Sequence, residues 1–265
     1  MQRLAVRRFG RVNWRGLAAL YQRGVQRYLT QWVESLIGPL ASALLFLVIF
    51  VLARGEGDAD IWPGIDTPSF VGAGLVMVAA SYTAFETLAM NLLYEKIEGV
   101  IKDLLAAPLS ALEILVAWLA AALTNGLITA AAVMLVMQPF VDWSFAQPLK
   151  LLVFAVLGLL LFALVGLLAG LWARTWDHYA LAETLFILPL TFLSGVFYLG
   201  RDLPAFGQDL LAGNPIFYAY DGFRSGLLGR ADSDPLVGAA YLLGLLALLA
   251  ALAWSLLARG WRLKD

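Results

Sequence analysis

Residues 149–173 read LKLLVFAVLGLLLFALVGLLAGLWA, an almost uninterrupted apolar run in which Lys150 is the only charged residue. An α-helix needs about 20 residues to cross the hydrocarbon core of a bilayer, which is about 30 Å thick. The run is long enough for one crossing, and it has no polar face that could be turned towards water. It therefore predicts a transmembrane helix in a lipid-embedded protein.

The chain contains five other stretches of similar length and composition. With the run above as the fourth, the predicted spans are residues 32–53, 68–93, 111–137, 149–173, 177–196 and 235–258. Long apolar helices joined by shorter polar segments are typical of an all-α polytopic membrane protein. We therefore predict a single transmembrane domain over residues 1–265, with six transmembrane helices.

The composition supports this class and excludes several functions. Of the 265 residues, 62% are apolar and 14% are charged, whereas soluble domains have about 45–50% and about 25%. A chain this apolar does not stay disordered, and 18 basic against 19 acidic residues do not favour a nucleic-acid partner. The absence of cysteine excludes disulfides and thiolate sites, and the single histidine, His178, does not indicate a metal centre.

Residues 1–31 form a basic arm before the first predicted span. The first 30 residues contain seven arginines, no acidic residue and no apolar run typical of a signal peptide. From residue 14 onwards, apolar residues recur at three- and four-residue steps: Trp14, Leu17, Ala18, Tyr21, Val25 and Tyr28. This spacing favours an amphipathic helix on an anionic cytoplasmic membrane surface. A solvated basic tail is the alternative.

The distribution of lysine and arginine predicts the orientation. Six crossings place both termini on one side, and that side then carries 13 of the 18 basic residues, against 5 on the other. The loop between the first two spans is acidic, with Glu56, Asp58, Asp60 and Asp66. By the positive-inside rule, both termini are predicted to be cytoplasmic.

Residues 94–110, YEKIEGVIKDLLAAPLS, join the second and third spans. Glu98 and Lys102 form an i,i+4 pair, and the apolar residues fall on another face of a short helix: Ile97, Val100 or Ile101, Leu104 and Leu105. Ser110 and Glu113 match a capping box that would begin the third span, which gives Glu113 a structural role. The helix could dock into a groove of a partner protein or lie among lipid headgroups, and the pattern favours neither.

Residues 187–229 read ILPLTFLSGVFYLGRDLPAFGQDLLAGNPIFYAYDGFRSGLLG, in which Pro and Gly divide apolar pieces too short to span. Asp202 is predicted to cap a helix over residues 203–212, and Asn214 with Pro215 begins another. Pieces of this length are expected to be re-entrant. We therefore predict an external re-entrant hairpin over residues 197–230, between the fifth and sixth spans.

These residues resemble a known family. The stretch 189–198, followed by Leu203-Pro204, Asn214-Pro215-Ile216 and Arg224, is similar to the signature of type-2 ABC exporter permeases. These are the membrane subunits of drug, nodulation-factor and surface-polysaccharide exporters. The region of Glu95, Glu98-Gly99 and Pro108-Leu109-Ser110 resembles the coupling-helix region of the same family. This chain departs from the common Gly-Thr-Leu-Glu pattern, because it has GVIK at residues 99–102, which reverses one charge.

The resemblance implies a permease in a bacterial inner membrane. Two copies of the chain, or the chain and a paralogue, would form a dimer in the lipid, above two separate ABC ATPase subunits that carry ATP and Mg²⁺. Coupling to the ATPase would involve Glu95, Glu98, Gly99, Ile101, Lys102, Leu104 and Leu105. The hairpin residues of the resemblance are Gly195, Pro204, Asn214, Pro215 and Arg224. The chain itself would hold no cofactor, and it contains no Gly-Lys dipeptide, so a phosphate-binding loop is absent from the sequence.

Other residues are candidates for a substrate path or for polar contacts. Glu86 and Glu183 are the ionisable residues furthest inside spans, and polar contacts between helices are the alternative to a functional role. Arg224 is expected to pair within the hairpin, with Asp221 or a neighbouring acid. Aromatic residues on the spans could line a path, or only pack: Phe46, Phe50, Tyr82, Phe85, Phe186, Phe192 and Phe197.

Three functions compete. The favoured one is an ATP-driven exporter of an amphipathic, lipid-like or drug-like compound, with a lipid-linked glycan as the alternative substrate. The second is an ion-coupled secondary transporter or channel, although the broken region at residues 189–228 has no counterpart in the first three spans. The third, a membrane-embedded enzyme, lacks a cysteine, a second histidine and any clustered carboxylate pair within the spans.

Overall fold

The computed structural model describes residues 12–54 and 61–263, apart from the side chains of residues 53 and 54. Residues 1–11 of the predicted arm, three acids of the first loop (Glu56, Asp58 and Asp60) and Lys264 lie outside the described residues. The described part is helical and contains no β-strand; Trp62 and Ile65 form an isolated bridge. The helices are α1 (Trp14–Thr30), α2 (Gly38–Arg54), α3 (Thr67–Ile97), α4 (Ile101–Ala106), α5 (Ala111–Met137), α6 (Pro148–Trp172), α7 (Trp176–Ala182), α8 (Leu188–Phe192), α9 (Ala205–Gly213), α10 (Pro215–Leu228) and α11 (Pro235–Arg259).

Within the described ranges, five helices are long and apolar enough to cross a bilayer, which confirms the polytopic all-α class. They are Val33–Leu52, Thr67–Ile97, Ala111–Met137, Pro148–Trp172 and Pro235–Arg259. The first begins with a π-helical turn, Val33–Ile37, that runs into α2. These helices correspond to the first, second, third, fourth and sixth predicted spans.

The predicted fifth span has a different structure, so the six-span arrangement is not confirmed. Here α7, a π-helical turn over Glu183–Ile187 and α8 follow one another directly and cover 17 residues. We call this element the composite helix. At about 1.5 Å per residue it reaches only about 25 Å. It ends at Phe192 rather than at residue 196, because the chain turns at Gly195, whose φ of +72° lies in the left-handed region.

The core of the bundle lies around α3. In α3, 83% of the most apolar stretch is buried, compared with 11% for the first span and 22% for α11. Small residues let α6 approach α3 closely, as expected for helices packed in lipid. A Cβ added at Gly166 would lie 2.4 Å from the carbonyl oxygen of Phe85. The two outer helices, α2 and α11, present most of their apolar surface outwards.

Helix α1 confirms the amphipathic helix predicted from Trp14 onwards, and it packs against the bundle. Its N-cap Asn13 accepts a hydrogen bond from the backbone N–H of Gly16. The hydroxyls of Tyr21 and Tyr28 lie 3.1 Å and 2.7 Å from threonine hydroxyls of α5, those of Thr124 and Thr129. Because Tyr28 is 6% exposed, one face of the helix is covered by protein, not by lipid headgroups alone.

The hairpin forms as two short helices, α9 and α10, with one correction to the predicted caps. Asn214 caps α10 as predicted, because its side chain accepts from the N–H of Ile216, and its amide donates to the carbonyl of Leu190 at 2.7 Å. Asp202 caps no helix: it lies in a 3₁₀ turn, and α9 begins at Ala205. The reason is Pro204, which disfavours helical backbone at the residue before it, and Leu203 is extended.

We refer to the two ends of the bundle by their elements. The α4 end holds the C-terminus of α3, α4 and the N-terminus of α5. The hairpin end holds the N-termini of α3 and α11 and the turn before α6.

Candidate functional site

Helix α4 buries only two of the residues predicted on its apolar face, because Ile97, which ends α3, and Leu105 are 48% and 36% exposed. Ile101 and Leu104 are buried against the chain, at 3% and 7% exposure. Lys102 and Leu105 are exposed, as is Glu98 just before the helix. Gly99 has a φ of +74°, which favours glycine. Of the predicted coupling residues, two therefore anchor α4, and those on its outer face are free to meet a partner.

Glu113 joins the first turn of α5 to the start of α1. Its carboxylate accepts hydrogen bonds from the backbone N–H groups of Ser110 and Asn13, and the Ser110 hydroxyl accepts from the N–H of Glu113, which completes the predicted capping box. The sequence indicated the capping box, but not the contact with Asn13, which is distant along the chain.

Glu95 lies on the inner side of the α4 end rather than on its surface. It is 8% exposed, and its carboxylate is 2.6 Å from the guanidinium of Arg23 on α1. The guanidinium of Arg27 lies 4.7 Å from the ring centre of Tyr94. Glu95, predicted as a coupling residue, therefore holds α1 against the end of α3.

Lys96 is a residue of this region that the sequence analysis missed. Its ammonium group donates to three backbone carbonyls at the C-terminus of α6, those of Gly170, Leu171 and Ala173, at 2.5 to 3.1 Å. The last carbonyls of a helix have no partner within the helix and carry partial negative charge, which a cation stabilises. Lys96 thus ties the end of α3, next to α4, to the end of α6. The sequence feature that could have indicated this contact is the position of Lys96 in the last turn of a helix.

A cavity of about 50 Å³ opens between α2, α3 and the composite helix. Four of the seven candidate aromatic residues line it, with aliphatic residues and one threonine: Phe46, Leu75, Val78, Tyr82, Leu188, Thr191, Phe192, Val196 and Phe197. Phe50 stacks on Phe197, with ring centres 4.7 Å apart. The structure therefore brings five candidates together around Phe197.

The other two aromatic candidates lie elsewhere. Phe85 is fully buried, with its ring centre 6.1 Å from that of Tyr179. Phe186 is 64% exposed on the outside of the composite helix.

Glu86 and Glu183 are electrostatic neighbours, although they lie far apart in sequence. Tyr82 and Tyr179 lie beside the two carboxylates. Helix α3 continues to Ile97, so Glu86 is further from the α4 end than the predicted span placed it. His178 packs its ring 5.1 Å from that of Trp172. Among the described residues, no group of His, Asp and Glu could hold a metal ion.

Arg224 is buried in the hairpin, at 1% exposure, with partners other than those predicted. Its guanidinium donates to the carbonyl of Gly195 at 2.9 Å and lies 3.7 Å from the ring centre of Phe70. Asp221, the expected partner, instead accepts from the backbone N–H groups of Asp232 and Ser233, at 2.9 and 2.8 Å. Where water is excluded, an aromatic face and a backbone carbonyl can together stabilise a cation in place of a carboxylate.

Asp232 connects the loop after α10 to the turn before α9. Its carboxylate accepts a hydrogen bond from the backbone N–H of Gly200. Burial raises the pKa of Asp232, an effect that the Gly200 bond opposes. The two carboxylates of the hairpin end therefore organise loops, rather than neutralise Arg224 directly.

Comparison with known proteins assigns this arrangement to a family. Residues 15–228 match the family model described as ABC-2 type transporter. The chain belongs to this family.

Two groups of ABC-2 relatives cover most of the chain. The inner membrane transport permease YadH of Escherichia coli (strain K12) is 30% identical over 252 residues, which are 95% of this chain and 98% of YadH. Nodulation protein J of Sinorhizobium fredii is 28% identical over 226 residues, 82% of each chain. Nodulation protein J of Rhizobium leguminosarum bv. viciae is 27% identical over 225 residues. The predicted family is thus confirmed, and the chain is a multi-pass inner membrane transporter of the ABC-2 permease family.

Proposed function

We propose that this ABC-2 chain is the membrane subunit of an ATP-driven exporter. Separate ABC ATPase subunits, two for each membrane dimer, would bind ATP and Mg²⁺ and power alternating access. The substrate would be an amphipathic, lipid-like or drug-like compound that moves outward. Both termini and α4 would face the cytoplasm, and α9 and α10 would face the outside.

The observation that carries this proposal is the position of α4. It presents Lys102 and Leu105 at the surface, while Ile101 and Leu104 fix it to the bundle. Through Lys96, the segment next to it is bonded to α6. A force on α4 would therefore reach two central helices rather than a loose loop.

Two further features support the proposed partners, which are an ATPase subunit and a second membrane subunit. The sequence has no phosphate-binding loop, so hydrolysis of ATP would require another subunit. The outward apolar surfaces of α2 and α11 leave room in the membrane for lipid and for a second copy of the chain or a paralogue.

The test is coupling to the ATPase. The chain would be reconstituted with its cognate ATPase subunit, and ATPase activity and export would be measured for the wild type and for Leu105→Asp. We expect this exposed α4 substitution to lower association with the ATPase by about tenfold or more, because it places a charge on an apolar contact.

Leu236→Asp is the matched control, since Leu236 is 81% exposed at the hairpin end. It should leave ATPase binding unchanged. If Leu105→Asp kept both ATPase stimulation and export, α4 would not be the coupling element. Transport without any ATPase present would refute the proposed function and favour an ion-coupled transporter, and export of a lipid-linked glycan alone would replace the proposed substrate.

A further inference from the structure

Helices α1, α3 and α5 enclose a further cavity of about 30 Å³ at the α4 end of the bundle. Its lining is partly polar, unlike that of the cavity between α2, α3 and the composite helix. The polar residues are Arg23 and Arg27 of α1 and Thr87, Asn91 and Glu95 of α3. The two arginines are one helical turn apart, so they lie on the same face of α1. The cavity thus combines two guanidinium groups with one carboxylate and carries a net positive charge.

Only one of the two arginines has an acidic partner among the described residues. The guanidinium of Arg23 is 2.6 Å from the carboxylate of Glu95. That of Arg27 lies over the ring of Tyr94, and it forms no ion pair with an acidic side chain of the described part of the chain. Like charges one turn apart on a helix repel each other. Because Arg27 is half-buried, an anion beside it would balance the charge that Glu95 leaves over.

The size and the donors of the cavity suit a phosphate group. A water molecule needs about 10–15 Å³ of such a cavity, so about 30 Å³ holds two oxygen-sized atoms. A phosphodiester has two unesterified oxygens and one negative charge, and the planar guanidinium of arginine matches phosphate oxygens with parallel N–H donors. The amide of Asn91 donates one N–H to the carbonyl of Thr87 at 2.7 Å, which leaves the second N–H as a further donor.

The cavity lies at the level of lipid head groups. Helix α3 has 31 residues and is about 46 Å long, whereas the hydrocarbon core is about 30 Å thick. Its last turns, which hold Asn91 and Glu95, therefore extend out of the hydrocarbon core. Trp118 of α5 also lines the cavity, and tryptophan is enriched at the membrane–water interface.

An apolar surface continues from Arg27 along the outside of α3. Met90 and Tyr94 are one turn apart on this helix and are 47% and 42% exposed. Tyr94 is also the residue whose ring contacts Arg27. An acyl chain could therefore cover this surface while its phosphate reaches the guanidinium, an arrangement that a free phosphate ion would not use.

We propose that the cavity between α1, α3 and α5 binds the phosphate of an anionic phospholipid from the leaflet at the α4 end. Arg27 binds the phosphate, while Arg23 stays with Glu95 and adds positive charge. The acyl chains lie against Met90 and Tyr94. The lipid thereby holds α1 to the end of α3, beside α4. This inference does not depend on which compound the chain transports.

Native mass spectrometry of the full-length chain, released from detergent micelles, tests the site. The chain is titrated with phosphatidylglycerol, phosphatidylcholine or inorganic phosphate. We expect one molecule of phosphatidylglycerol per chain to bind about tenfold more tightly than phosphatidylcholine, because the choline group would bring another cation to a positively charged cavity. Inorganic phosphate should not bind at concentrations that saturate with phosphatidylglycerol, since it lacks the acyl chains.

Substitutions assign the binding to Arg27. Arg27→Gln should weaken binding of phosphatidylglycerol about tenfold, and Arg27→Lys should restore only part of it, because lysine keeps the charge but not the planar group. The matched control is Arg15→Gln, since Arg15 is exposed on the same helix and does not line the cavity. It removes the same charge and should change the affinity less than about twofold, because an exposed charge is screened by salt.

Each result decides the proposal. Equal binding of the two lipids by the wild type, which requires no variant to fold, would overturn it. Equal losses in Arg15→Gln and Arg27→Gln would also overturn it, because the lipid would then be attracted by the general charge of α1 rather than by the cavity. Saturable binding of inorganic phosphate that is lost in Arg27→Gln would replace the lipid by a free anion.

Discussion

Replacement of Lys96 by methionine tests the connection between α3 and α6. Methionine keeps most of the aliphatic length but removes three charge-assisted hydrogen bonds to the C-terminal carbonyls of α6. A hydrogen bond to a charged group contributes about 1.5–3 kcal/mol. The three share one partly exposed ammonium group, and their contributions are not additive. We therefore expect a loss of about 2–4 kcal/mol in the free energy of unfolding.

The assay is reversible unfolding in mixed micelles, followed by circular dichroism, for wild type, Lys96→Met and Lys102→Met. Lys102 is exposed on α4, so its substitution should change the free energy of unfolding by less than about 0.5 kcal/mol. Proteolysis between α3 and α5 should also become faster in Lys96→Met, since the end of α3 would be held less firmly. A loss below about 0.5 kcal/mol in Lys96→Met would refute the reasoning, because the bonds would then contribute no more than a surface lysine.

Three further substitutions follow from described contacts. Gly166→Ala would bring a Cβ within 2.4 Å of the Phe85 carbonyl oxygen, so it should lower the free energy of unfolding by about 1–3 kcal/mol. Gly244 has open space around it, so Gly244→Ala should not lower the free energy of unfolding. Asn214→Ala removes the cap of α10 and should cost about 1 kcal/mol; an unchanged unfolding midpoint would contradict this. Glu113→Ala removes the carboxylate that accepts from the backbone N–H groups of Ser110 and Asn13, so it should lower the melting temperature. Glu113→Gln, which keeps a side-chain oxygen, should lower it less, and equal melting temperatures of wild type and Glu113→Ala would exclude this role.

Features that depend on local sequence could be predicted. The span at residues 149–173 follows from composition alone. The capping box of Ser110 and Glu113 and the Asn214 cap follow from residue types at fixed spacing, because a cap satisfies backbone groups only a few residues away. The burial of Ile101 and Leu104 follows from the periodicity of the segment, whereas the exposure of Ile97 and Leu105 does not.

Features that depend on tertiary contacts could not be predicted from the sequence. The π-helical turn at Glu183 changes the register of the composite helix, and no spacing of residue types predicts such a turn. The partners of Arg224 lie on α3 and in the turn at Gly195, so the nearby Asp221 was a reasonable but incorrect expectation. The proximity of Glu86 and Glu183 required the packing of two helices that are distant in sequence.

The burial of Arg224 also constrains the order in which the chain can assemble during synthesis. Its guanidinium is held by Phe70 and by the carbonyl of Gly195, and both residues are made before it. Until α3 and the turn at Gly195 are in place, the guanidinium lacks the ring and the carbonyl that hold it, and burying a cation without such contacts is costly. The hairpin is therefore a late-folding element, and a nascent chain in which α3 is misplaced should expose α10 to quality-control proteases rather than insert it.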